Sequence, residues 1–308
     1  MVEVGIVGLP GSGKSTLFQA LTGAEPEAGT NKPNVGMASM QDARLDGVAA
    51  IERSKKVTAA ALRVLDAAGT SAAQLGTLRR SDALLAVLDA FSGASDPAAD
   101  RVALELELLL ADRDHVERRL ERARKEAKSG DPSRKEEVTR LEAALANLEA
   151  ERPLSSFSEE LPAELDPLTT KPLVVVENGP GAIDAKLEVE LADLPPEEAE
   201  QFREGPRALD EILRRLGSEL DLITFFTGGD TESRAWTLRR GQTALEAAAA
   251  VHTDIARGFV RCEVIRADDL IACGSRAEAA RRGLQRLEGK NYVVEDGDVL
   301  NIRFTPPR

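Results

Sequence analysis

The nine residues Gly8-Leu9-Pro10-Gly11-Ser12-Gly13-Lys14-Ser15-Thr16 constrain this chain more than any other stretch. They follow the apolar run Val2, Val4, Ile6, Val7 and precede the helix-spaced Leu17, Phe18, Ala20 and Leu21, so the pattern is strand, glycine-rich loop, helix. Gly8, Gly11 and Gly13 let the backbone curl until successive N–H groups point at phosphate oxygens, at the positive end of the following helix. Lys14 then reaches the β and γ phosphates, and the Ser15 hydroxyl holds magnesium (Mg2+). The sequence predicts a nucleoside-triphosphate site in which Gly11, Ser12, Gly13, Lys14, Ser15 and Thr16 meet the phosphates.

At 308 residues the chain exceeds one ordinary domain. No apolar stretch approaches the roughly 20 residues that span a bilayer, which predicts a cytoplasmic protein without membrane contact. The net charge of -13 is unevenly spread: residues 222–308 carry 13 basic and 12 acidic side chains, residues 101–152 carry 12 and 13, and the remainder 15 and 28. The acidic remainder holds the phosphate loop and is a poor nucleic-acid surface, since such binding relies on Lys and Arg neutralising phosphates. No sequence-specific DNA binding is expected, and any ribonucleoprotein contact falls to the two near-neutral parts. Cys262 and Cys273 lack metal-type spacing and read as reduced, packed thiols.

Strand-length apolar runs at Leu62–Leu65, Ala83–Leu88 and Leu173–Val176 suit a parallel sheet covered on both faces. From Arg101 to Arg152 the pattern turns long, charged and helical, broken at Ser129-Gly130-Asp131-Pro132-Ser133, which predicts an antiparallel helical hairpin. A solvated spacer and a partner-binding arm fit that hairpin equally. Pro195–Leu220 reads as an acidic helical connector with Leu209, Ile212, Leu213 and Leu216 on one face. Residues 222–308 mix short strands (Leu222–Phe226, Phe259–Ile265, Tyr292–Val294, Val299–Phe304) with a helical stretch at Thr243–Ala256, a small α+β unit. The expected division is 1–100 and 153–220 for the two parts of the NTPase domain with its connector, 101–152 for the hairpin, and 221–308 for the terminal domain.

Two further residues narrow the phosphate-loop reading to a switch. Thr30, in a loop after the first helix, sits where a hydroxyl completes the magnesium shell and senses the γ-phosphate. Asp66 ends an apolar strand and opens Asp66-Ala67-Ala68-Gly69: its carboxylate approaches magnesium through water, and the Gly69 N–H meets the γ-phosphate.

With these residues in place the chain resembles the Obg-like ATPase (YchF) family of translation-factor-class P-loop NTPases. The resemblance runs end to end, through Gly8-Leu9-Pro10, Gly13-Lys14-Ser15-Thr16-Leu17-Phe18, Pro33-Asn34-Val35-Gly36, Arg44-Leu45-Asp46 and Asp66–Gly69. It continues through Leu222–Thr227, Arg234-Ala235-Trp236-Thr237, Val251-His252-Thr253-Asp254, Glu288-Gly289-Lys290 and Asp296-Gly297-Asp298-Val299. It implies an α/β, G-domain-like P-loop core interrupted by the helical hairpin and followed by a β-grasp (TGS-type) domain. It also implies magnesium-dependent hydrolysis of ATP, with GTP as a second substrate, and contact with the ribosome or a translation factor through the hairpin and terminal domain. Lys14 and Thr30 are then the catalytic candidates, Ser15, Thr30 and Asp66 the metal candidates, and Gly69 and Asn178 further nucleotide contacts.

The chain departs from that family in three places. Gly11-Ser12 replaces the Asn-Val associated with a potassium ion, so potassium assistance is not expected. After Gly69 the glycine-rich switch segment is shortened, and Thr70 stands where no water-positioning side chain can be named. Asn178 could still reach a purine, but Gly181 replaces the expected acid, which removes the basis for strong guanine selectivity. These losses favour the rival reading of a hydrolysis-deficient nucleotide-binding scaffold. His252 is read as packing and hydrogen-bonding, Trp236 as a core anchor, and Arg276, Arg281, Arg282, Arg286 and Lys290 as either an RNA-phosphate patch or a solvated face.

Overall fold

The computed structural model describes every residue except 28–31, 68, 94–95, 130, 204–206 and 306–308. Along the chain run β1 (Glu3–Val7), α1 (Lys14–Thr22), β2 (Asn34–Met40), α2 (Ala43–Glu52), β3 (Lys56–Thr58), β4 (Ala60–Asp66), α3 (Ala72–Gly76) and β5 (Ala83–Asp89). There follow α4 (Pro97–Glu126), α5 (Pro132–Glu149), β6 (Leu173–Asn178), α6 (Ala185–Ala192), α7 (Pro196–Gln201) and α8 (Ala208–Glu219). The last third holds β7 (Leu222–Thr227), β8 (Glu232–Arg239), α9 (Ala244–Val251), α10 (Thr253–Arg257), β9 (Phe259–Arg266), α11 (Ala267–Cys273), α12 (Arg276–Arg281), β10 (Arg286–Glu288) and β11 (Asp298–Phe304). Contacts divide these into two compact units, 3–37 with 63–209, and 1–2 with 38–62 and 210–308.

The first unit is organised by a five-stranded sheet of order β2-β4-β1-β5-β6. β1 lies parallel between β4 and β5, and β5 lies parallel to β6. β5 is buried along nearly its whole length, as an apolar run in a parallel sheet requires. Its alternate residues Leu84 and Ala86 pack with Leu75 of α3, Leu78 in the turn after it, and Leu104, Leu108 and Ala111 of α4.

Asp96 caps α4 and Pro97 occupies its first turn, which sets the start of a 30-residue helix. Beyond Leu108 the apolar face of α4 changes partner: Leu109, Val116, Leu120 and Ala123 pack against Leu141, Ala144 and Leu148 of α5 and against Leu154 and Leu165. The two helices thus build a core of their own. Asp112, 1% exposed, ties this arm to the chain leading into β6. It accepts from the N–H groups of Leu168 (2.9 Å) and Thr169 (2.8 Å) and from the Thr169 hydroxyl (2.8 Å), and it pairs with Arg79 at 2.5 Å.

The second unit carries a six-stranded mixed sheet of order β10-β9-β11-β7-β8-β3. Its core includes Phe226, Ile265, Leu270 and Val299 together with Leu45, Val48 and Ala60, and a second cluster gathers Ile223, Phe225, Leu238, Ala247, Val264 and Leu300. Residues 38–62 therefore contribute α2 and the edge strand β3 to the C-terminal unit, a grouping absent from the division expected at 100, 152 and 220. Tyr292–Val294 forms no strand: Val293 makes only an isolated bridge to Thr243. The helical stretch expected from Thr243 to Ala256 is split at His252, where the backbone is extended (φ −166°, ψ 139°) and the Nδ1 accepts from the Asp254 N–H to cap α10. Trp236 stacks on Phe225 at 6.4 Å and donates to Thr227, as a core anchor does.

Candidate nucleotide site

β1 delivers the chain into the glycine loop and α1 carries it away. Gly11 and Gly13 both have positive φ (87° and 86°), the left-handed region that glycine enters without a Cβ penalty. At Gly13 the reason is also steric, because a Cβ would lie 2.2 Å from the Asn178 amide nitrogen. The first bond of α1 runs from Leu17 N–H to Gly13 O, which leaves the N–H groups of Lys14, Ser15 and Thr16 outside the helix's own ladder. They are placed to meet an anion at the positive end of the helix.

Lys14 is buried and donates to the carbonyls of Gly8 (2.9 Å) and Leu9 (3.0 Å), so its ammonium is held over the loop. Burial lowers its pKa, and the charge of Asp66 opposes that shift. Ser15 Oγ donates to Asp66 Oδ2 at 2.8 Å, and Asn34 Nδ2 donates to the same oxygen at 3.2 Å. Asp66 is fully buried, and its Oδ1 has no hydrogen-bond partner among the described residues. A hydroxyl and an orphaned carboxylate oxygen side by side are the hard oxygen donors that magnesium takes.

Three expected contacts are occupied differently. The Gly69 N–H is spent on Ala67 O at 2.7 Å, and Ser12 N–H on Leu9 O at 3.2 Å. Asn178 is 6% exposed and bonds at both ends of its amide: Nδ2 donates to Ser12 O (3.1 Å) and Oδ1 accepts from Ala185 N–H (3.0 Å). Asn178 is thus a clamp between the phosphate loop and the start of α6. Thr30 lies outside the described residues. The shortened switch closes as a capping box, in which Ser71 accepts from Gln74 N–H at the start of the five-residue α3.

Sequence reading passed over Phe91. This ring is 53% exposed and lies 3.9 Å from where a Gly13 Cβ would stand. Asp89 Oδ1 accepts from the N–H groups of Phe91 and Ser92, both at 3.0 Å, and Ala90 N–H donates to Asn178 O at 2.9 Å, so the turn holds the ring beside the clamp. In the sequence its one mark is an aromatic two residues beyond Asp89, the end of an apolar run. Gly181, at φ 79°, brings no side chain to this end of the sheet.

The expected basic patch is largely neutralised within the second unit. Arg276 pairs with Glu52, Arg281 and Arg282 with Glu278, and Arg286 bonds the Tyr292 hydroxyl. Four of the five cations therefore have acidic or phenolic partners, which weakens the phosphate-patch alternative.

A parallel sheet whose first strand turns through such a loop into a helix, with a strand-end aspartate on the helix's first serine, defines a P-loop nucleotide-binding protein of the G-domain kind. Residues 3–127 match the family described as "50S ribosome-binding GTPase", and residues 222–305 match the C-terminal YchF-GTPase family, described as "Protein of unknown function (DUF933)". Ribosome-binding ATPase YchF of Bacillus subtilis is 37% identical over 362 aligned positions, covering 98% of this chain and 99% of the relative. That of Haemophilus ducreyi is 38% identical over 358, again covering 98% and 99%. The solved YchF GTPase of Schizosaccharomyces pombe matches with a TM-score of 0.80 at 26% identity, covering 98% of this chain and 97% of that one. The chain belongs to the YchF family. Because 308 residues are spread over 362 aligned positions, the B. subtilis relative carries segments that this chain lacks.

Proposed function

We propose that this protein is a cytoplasmic, ribosome-associated switch that hydrolyses ATP, and GTP as a second substrate, to the diphosphate and phosphate. The observation that carries this reading is the Lys14, Ser15 and Asp66 constellation at the end of β1 and β4. The N–H groups of Gly11, Gly13, Lys14, Ser15 and Thr16 and the Lys14 ammonium bind the triphosphate and offset charge developing on the transferred phosphoryl group. Ser15, Asp66 and Thr30 would hold magnesium, which when bound supplies positive charge to the phosphates. Asn178 positions the loop, and Phe91 offers the base a stacking face. A flat apolar platform without an acid at Gly181 supports relaxed choice between adenine and guanine.

The curated relatives are named ribosome-binding, and beside the NTPase core the expected helical hairpin and TGS-type terminal domain supply two surfaces for such contact. The well-packed α4–α5 core favours a stiff arm that reaches a partner. No helix among the described residues is long and apolar enough to cross a membrane. A hydrolysis-deficient scaffold stays in view through one observation, the Gly69 N–H engaged by Ala67. Cosedimentation with ribosomes in ATP, in ADP and without nucleotide tests the switch. Retention that differs between ATP and ADP, and is lost in Lys14→Ala, supports it; retention indifferent to nucleotide contradicts it.

A further inference from the structure

At the opposite end of the sheet from the phosphate loop lies a cavity of about 520 Å³. Its walls are the first turns of α4, the starts of β5 and β6 at Leu84 and Leu173, and the turn around Leu168. β5 and β6 are six to seven residues long and end at Asp89 and Asn178, so roughly 15–20 Å of strand separates this cavity from the nucleotide site. The volume lies in the range of small-molecule sites, and the lining is mainly apolar. Val102 and Leu106, one turn apart on α4, are 68% and 45% exposed at its mouth.

The charges around it are unequal in their partners. Arg101 is held by Glu105 at 2.9 Å. Lys171, half-buried on the wall, makes no side-chain hydrogen bond or ion pair among the described residues. Asp82, Asp112 and Asp166 attract it only at longer range. Asp82 and Asp112 carboxylates are already bonded by the Glu3, Leu168 and Thr169 N–H groups. Glu151 is the remaining acid on the lining. Burial, with a smaller push from the Arg79 guanidinium, lowers the pKa of the Lys171 ammonium, and an anion beside it favours the charged form.

We propose that this cavity is a second ligand site, which takes an amphipathic carboxylate: an unbranched or ring-bearing apolar body against Leu84, Leu106, Leu109 and Leu173, with its acid group on Lys171. A neutral apolar molecule fills the same walls but leaves the lysine without an anion beside it. The site is built on α4 beside the Asp112 junction, so its occupant touches the root of the helical arm.

The test is calorimetric titration of the full chain with decanoate and with 1-decanol. Saturable binding of one decanoate per chain is expected, with decanol weaker by about tenfold, the worth of one charge-assisted contact. Lys171→Met should erase the difference between the two probes, and Leu106→Glu should abolish both, with ATP binding unchanged in each variant to show an intact fold. Equal binding of acid and alcohol by the unaltered chain, decanoate binding that survives both substitutions, or no saturable binding of either probe overturns the proposal.

Discussion

Gly13 and Lys14 sit at adjacent positions and are constrained by different physics. Gly13→Ala meets both a left-handed backbone and the Asn178 amide 2.2 Å away. It should cost about 1–2 kcal/mol in backbone strain alone and weaken triphosphate binding by displacing the clamp, measured as a lowered melting temperature and a raised nucleotide Kd. For Lys14 the sign runs through its ammonium. Burial holds it below 10.5 in the protein alone, and a bound polyphosphate raises it, so binding takes up a proton as the pH approaches that range. Triphosphate affinity should be level below the lowered pKa and fall as pH rises through it, a fall that Lys14→Met removes; titrations from neutral pH upward read it directly. Burial also pushes the Cys262 thiol up to about 11, whereas Cys273 is only partly buried. One thiol per folded chain should react with a disulfide reagent near pH 8, and two after unfolding; equal rates for both in the folded chain contradict this. The sequence made Lys14, Ser15 and Asp66 legible because their spacing is the chemistry. The use of Asn178 as a clamp was hidden, since its partners Ser12 and Ala185 are set by how β6 meets the loop, and Phe91 carried no motif.

Among the elements, α4 decides how the arm is attached. Its apolar spacing was readable, but the change of partner near Leu108 was not, because periodicity records a face and not what covers it. Nor did sequence mark Asp112, one of several acids in a charged helix, which turns out to hold four donors at the junction. Asp112→Ala leaves Arg79 charged and buried with backbone carbonyls but no carboxylate beside it, and should destabilise the chain by about 3–5 kcal/mol in denaturant unfolding. Asp112→Asn keeps the acceptor geometry in part and should cost less. The split of the helix expected at Thr243–Ala256 has a local cause that propensity understates: the His252 imidazole competes for the next turn's N–H as a cap.

At the scale of the whole molecule, contacts cut across chain order. Parallel β-runs and a helical hairpin were visible in the sequence, whereas the assignment of 38–62 was not, because α2 and β3 find their partners some 170 residues later: Lys56, Val57 and Thr58 pair with Glu232, Ser233 and Arg234. Leu45 and Val48 fill the same core as Phe226 and Leu270, and Glu52 holds Arg276. A fragment of 210–308 alone should therefore expose an unfilled core and fail to give cooperative thermal unfolding, while adding 38–62 as a fused or separate segment should restore it. Cooperative unfolding of the bare fragment at the full chain's melting temperature would contradict that grouping.

The central claim, that the loop of Gly8 to Thr16 supports hydrolysis and not binding alone, is tested most directly by phosphate release from [γ-32P]ATP with magnesium, with and without ribosomes. The account predicts slow release by the unaltered chain, faster release with ribosomes, and none above background in Lys14→Ala. Tight ATP binding with no release under either condition would contradict it.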